Sequence, residues 1–87
     1  MSTAVAHRYL HVVPEQVGIL QYISRRINTV SLLKRRTGYG ERRLQRRVAE
    51  LLAKGWIEQV GVHTDVSVSL RVFGVTEEGL RNVPSGV

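Results

Sequence analysis

VSLLKRRTGYGERRLQRRVAELLAKGWI, from Val30 to Ile57, is the stretch whose reading decides the fold. Two helical patterns are separated by Gly38-Tyr39-Gly40, a turn with two residues able to take positive φ. Val30 to Thr37 reads as a short helix with Leu32 and Leu33 inward and either Thr29 or Ser31 as its cap. Glu41 to Lys54 reads as a longer one, ended by Gly55 in the left-handed conformation that glycine reaches cheaply. At about 100° per residue, Leu44, Val48, Leu51 and Leu52 share one narrow face, the core side. Arg42, Arg46, Ala49 and Ala53 lie opposite, with Arg43, Arg47, Glu50 and Lys54 as the stripe beside them. All four arginines are thus expected on the solvent side.

Upstream, Pro14 suits a first helical turn, where its missing N–H costs nothing, and Glu15 suits the positive end of the helix dipole. Val17, Leu20, Ile23 and Ile27 recur at three- and four-residue spacing, predicting an amphipathic helix of three to four turns that stops near Asn28-Thr29. His7 to Val13 reads as a strand or a loose helical turn, and Met1 to Ala6 as a frayed end. Downstream, Trp56 to Val62 and Val66 to Val75 read as strands joined at His63-Thr64-Asp65 and close enough to pair as a hairpin. Val66, Val68, Leu70 and Val72 alternate, while Phe73 and Val75 fall on the other face. Either both faces are covered near the end or a bulge near Gly74 switches them. Thr76-Glu77-Glu78 predicts a cap and acidic first turn for a short last helix, ended by Asn82 and Pro84. The result is an α+β domain over residues 14–83, with an arm at 1–13 and a tail at 84–87.

Charge is the second strong signal. The 87 residues carry 13 Lys+Arg and 7 Asp+Glu, a net charge of +6. Lys34, Arg35, Arg36, Arg42, Arg43, Arg46, Arg47 and Lys54 are opposed within their segment only by Glu41 and Glu50, and the rest of the chain sums to zero. All of the net charge therefore lies between Lys34 and Lys54. The Arg42/Arg46 and Arg43/Arg47 pairs are like charges four apart, each unfavourable by a few tenths of a kcal/mol in isolation. Arg42 and Arg43 also sit at the positive end of the helix dipole. A helix selected for stability alone is not charged this way, whereas an anion outside it reverses the sign of these interactions. Ala49 and Ala53 allow such a partner to come close.

Val30 to Ile57 resembles the helix-turn-helix and first strand of winged-helix transcriptional regulators, as in the MarR, ArsR and PadR groups. Leu33, Gly38, Tyr39, Leu44, Val48, Leu51, Gly55, Trp56 and Ile57 occupy the positions of that pattern. Phe73-Gly74-Val75-Thr76-Glu77-Glu78-Gly79 is similar to the segment that closes the wing in the same proteins. Gly40 departs from the usual capping Ser or Thr, Lys34 from a small packing Ala, and Arg42-Arg43 from short hydroxyl residues. Lys34 either loosens the short helix or carries its amine out to solvent. The resemblance implies a winged helix that binds double-stranded DNA as a small transcriptional regulator, with the Glu41–Lys54 helix in the major groove. Arg42, Arg43, Gln45, Arg46 and Arg47 become its contacts, divided between bases and phosphates in a way the sequence leaves open. Gln45 is equally placed for packing. Lys34, Arg35 and Arg36 would meet flanking phosphates, and Tyr39 either donates to a phosphate or belongs to the core. His63-Thr64 offers the wing only a weak minor-groove contact beside Asp65.

Other chemistries find little support. His7 and His11 are four apart, but only His63 could join them, and there is no cysteine, so no metal or cofactor is expected. No nucleophile–base motif is visible, Gly38-Tyr39-Gly40 is too short for a phosphate loop, and the expectation is a binding module rather than an enzyme. No apolar run suits a membrane span or a secretory signal, so a soluble, cytoplasmic protein is expected. A homodimer would have to draw on Tyr9, Leu10, Val12 and Val13. A small-molecule effector stays undefined. Two rival readings are a winged-helix protein–protein module, which needs an exposed apolar patch, and an RNA binder, which shares the phosphate attraction.

Overall fold

The computed structural model describes residues 12–64 and 69–84. Its elements are α1 (Pro14–Ser24), α2 (Val30–Thr37), α3 (Glu41–Ala53), β1 (Ile57–Thr64), β2 (Ser69–Val75) and α4 (Glu77–Leu80). The described chain is thus α+β: three helices, an antiparallel hairpin and a short helix. Most of the arm and part of the tail, with His7, Tyr9, Leu10 and His11, lie outside the described residues, as do Asp65, Val66 and Val68. Among the described residues no helix is long and apolar enough to cross a membrane.

Local chemistry sets the boundaries. Pro14 opens α1, and the Gln16 side chain reaches back to accept the Val13 N–H at 3.2 Å. Thr29, rather than Ser31, caps α2, its hydroxyl accepting the Leu32 N–H at 3.1 Å. Gly38 ends α2 at φ 76°, whereas Gly40 stays in the extended region and lends α3 no side-chain cap. Gly55 closes α3 at φ 75°. The end of α1 has the same architecture without glycine. Arg26 and Ile27 donate to the Ile23 and Tyr22 carbonyls, both at 3.0 Å, with Arg26 at φ 69°. That conformation disfavours any residue with a Cβ by roughly 1–2 kcal/mol. It also stops α1 before Ile27, which packs beside the core from the loop instead.

The core is one cluster of Ile19, Leu20, Ile23, Leu33, Leu44, Val48, Leu51, Trp56, Ile57 and Phe73. Two inward assignments are corrected, in α1 and α2, and the face of β2 that the sequence leaves open is decided. In α1 the buried stripe is Gln16, Ile19, Leu20 and Ile23, with Val17 only half-buried, because α3 crosses one flank of the helix. In α2 only Leu33 is buried; Leu32 is exposed, since a single face of this two-turn helix meets α3. In β2 it is Phe73 that enters the core, while Leu70 and Val72 are half-covered. Val60 and Val62 of the outer hairpin are exposed, so alternation there carries little burial.

The irregularity in the hairpin lies in β1. Gln59 pairs with Phe73 and Gly61 with Val72, leaving Val60 as an extra residue: the bulge lies in β1 and not at Gly74. Val60 sits so close across the sheet that a Cβ on Gly74 would fall 2.9 Å from its Cγ1. His63 and Thr64 belong to β1 and not to the turn. The far edge of β2 is tied to the α1–α2 loop, where the Phe73 N–H donates to Asn28 at 3.0 Å. Thr76 then caps α4 and donates its hydroxyl to the Gly55 carbonyl, joining the start and end of the hairpin.

Two substitutions check these constraints by thermal unfolding. Arg26→Gly is expected to stabilise the fold by about 1 kcal/mol, because it removes the left-handed Cβ. Gly79→Ala is expected to destabilise it by roughly 1–3 kcal/mol, because the new methyl would collide with the Trp56 carbonyl.

Candidate functional site

Helix α3 has four differently occupied flanks. Leu44, Val48 and Leu51 face the core. Arg42, Arg46, Ala49 and Ala53 point outward and are exposed, as the helical spacing predicts. Neither Arg42 nor Arg46 forms an ion pair among the described residues.

A third flank lies against α1 and changes the picture of the arginine face. Arg43 makes a two-pronged contact with Glu15, its Nε donating at 2.7 Å and its Nη2 at 2.6 Å. Arg47 donates from Nε to the same carboxylate at 3.2 Å and from Nη1 to Glu50 at 2.9 Å. The buried Gln16 amide donates to Glu50 at 2.9 Å, completing a chain of hydrogen bonds from the Val13 N–H to Arg43. The Arg43 guanidinium carbon lies 4.0 Å from the Tyr39 ring centroid, so Tyr39 is engaged as a half-buried stacking surface beside the core. The solvent-side expectation is therefore corrected for Arg47, whose side chain is only 16% exposed; that of Arg43 is 47% exposed. A wheel drawn on α3 alone omits α1, whose Glu15 covers Arg47 and ties down Arg43.

The fourth flank borders an open groove of about 490 Å³ between α2, α3 and the hairpin. Val48, Leu52 and Phe73 supply apolar lining, with Lys34, Gln45, Glu41 and Arg71 among the polar residues. Gln45 is exposed and lines this groove rather than packing in the core. Lys34, Arg35 and Arg36 are exposed on the last turn of α2, where the helix dipole favours cations. Lys34 meets the groove, and Arg36 lies 6.0 Å from the Tyr22 ring centroid. The fold thus gathers Lys34, Gln45 and Arg71 around one opening beside the outward Arg42 and Arg46.

Arg71 was not singled out by sequence reasoning. It donates to Gln59 at 2.8 Å and lies 5.0 Å from the Phe73 ring centroid. Its spacing of two from Phe73 on a strand was the available signal. Gln16 was missed as well, although it stands three residues after Val13, where a side chain can return to a helix N-terminus. That Glu15 pairs with α3 had no local signal, since 28 residues separate it from Arg43.

The seam governs the titration of its acids. Hydrogen bonding from Arg43, aided by Arg47, holds Glu15 down from an ordinary 4.5 to about 2, against the opposing effect of desolvation. Glu50 is lowered by hydrogen bonds from Gln16 and then Arg47. Among the described residues no buried side-chain nitrogen or oxygen lacks a partner, and no group of three His, Cys, Asp or Glu could hold a metal ion. Comparison of the chain with protein-family models, curated proteins and solved structures finds no match.

The lowered carboxylates set a pH dependence. Their contribution is present above the ordinary carboxylate value and is lost as pH falls through it toward 2. Thermal midpoints should therefore decline between about pH 5 and pH 2, and Glu15→Gln should show a shallower decline than the wild type.

Proposed function

We propose that this chain is a winged-helix domain that binds double-stranded DNA, as a small transcriptional regulator, with α3 in the major groove. One observation carries the reading: Lys34, Arg35, Arg42 and Arg46, carried by two consecutive helices, are exposed cations with no ion-pair partner among the described residues. A polyanion removes the mutual repulsion that folding leaves in place there. The order of helices, hairpin and terminal turn is compatible with a winged-helix layout.

Arg42 and Arg46 are the base-reading candidates, since an outward arginine can bridge O6 and N7 of guanine. Ala49 and Ala53 behind them leave room for close approach. Lys34, Arg35 and Arg36 are assigned to phosphates beside the groove, with Arg71 as a further phosphate contact and Gln45 near the bases. Tyr39 has the role of supporting Arg43. On this reading the chain is a binding module and not an enzyme.

Fluorescence anisotropy with labelled duplex DNA at several salt concentrations tests the assignment. Four phosphate contacts give a log–log slope of about −3.6 on a preferred sequence. Replacing Arg42 or Arg46 by Ala should weaken binding to a preferred sequence by about 1–3 kcal/mol where that residue reads a base. A slope near zero, or tighter binding to single-stranded RNA than to duplex DNA, contradicts the reading.

A further inference from the structure

The four arginines of α3 are not equivalent, and the difference lies in Glu15. Arg42 and Arg46 point outward, while Arg43 and Arg47 converge on one carboxylate from α1. An arginine fork grips a carboxylate and a phosphate with the same pair of parallel N–H donors. Glu15 therefore already fills, within the protein, the place a phosphate would take on Arg43. Arg47 is further committed because its other contact goes to Glu50.

We infer that Glu15 is a specificity-determining residue, an internal stand-in for phosphate that withholds Arg43 and Arg47 from the DNA backbone. This rests on the DNA-binding reading and deepens it. The carboxylate is held where it cannot readily be exchanged. Glu15 follows Pro14 in the first turn of α1, at the positive end of that helix, and its side chain is only 14% exposed. Its neighbour Gln16 is buried and hydrogen-bonded to Glu50, which pins the same turn to α3. A phosphate that displaced Glu15 would also meet an uncompensated carboxylate beside it.

The consequence is a division of labour along one helix. Phosphate attraction supplies affinity without sequence information, whereas base contacts discriminate. Removing two arginines from the phosphate-gripping set lowers the sequence-independent part of binding. The outward Arg42 and Arg46 keep their freedom, so the ratio of specific to non-specific affinity rises.

The test measures salt slopes on scrambled-sequence duplex DNA for wild type, Glu15→Gln and Glu15→Asp. Glu15→Gln should steepen the slope by about 1–2, as one or two arginines become free to bind phosphate. Glu15→Asp, which keeps the charge, should stay near wild type. In the otherwise unaltered protein, Arg43→Gln and Arg47→Gln should leave the slope within about half a unit, while Arg42→Gln or Arg46→Gln should reduce it by about 1, because on a scrambled sequence these outward arginines have no preferred base and bind phosphate instead. These arginine variants decide the matter even if Glu15→Gln fails to fold. Wild-type binding with slopes that fall equally for all four arginine variants overturns this inference alone. Absence of wild-type binding to duplex DNA overturns the functional reading and this inference with it.

Discussion

Packing α1 against α3 covers most of Arg47 in a helix–helix seam and draws Arg43 onto its edge, and a cation can be covered there only if an anion is covered with it. Glu15 and Glu50 supply those anions, and Gln16 links the acids to the backbone at the start of α1. Without the acids, closing the seam would bring two like charges together with no compensation. The apolar core packs α1 on α3, and this chain of contacts sets which of the arginines along the edge of that packing are tied inward. It is also directional: a two-pronged contact at 2.6 and 2.7 Å tolerates little rotation of either helix.

The remaining architecture holds α3 from its other sides. Leu44, Val48 and Leu51 are buried against α1, α2 and the base of the hairpin, with Phe73 arriving from β2. Gln59 and Phe73 pair directly and share a face, and the bulge at Val60 shifts the register of the hairpin beyond them. The Asn28 carbonyl anchors the far edge of β2. With the core, α1 and the hairpin groove each taking a flank, the outward flank of Arg42, Arg46, Ala49 and Ala53 is what the fold presents.

How much of this was legible in the sequence depended on how local the physics is. The Val30–Thr37 helix, the Thr76 cap and the ending at Gly55 follow from residues within a turn of one another. The outward placement of Arg42 and Arg46 follows from helical spacing alone. The failures share a cause: each depended on a neighbour distant in sequence. Nothing near Arg47 signals that Glu15 will cover it, and nothing near Leu32 signals that α3 takes only the Leu33 side. Alternation alone left open which face of β2 is covered, and it is the Phe73 face that packs on the helices. Arg26 could not be read as a helix terminator because its backbone takes a conformation usually reserved for glycine.

The charge that concentrates between Lys34 and Lys54 is thus partly internal to the fold and partly offered outward. Chemical-shift mapping of the arginine Nε and backbone amide signals, on adding a short DNA duplex at low salt, tests this partition most directly. The predicted result is large shifts at Arg42, Arg46 and the Lys34–Arg36 turn, with the Nε signals of Arg43 and Arg47 staying in place. Shifts confined to the hairpin or to α1, or equal shifts at all four arginines of α3, would contradict it.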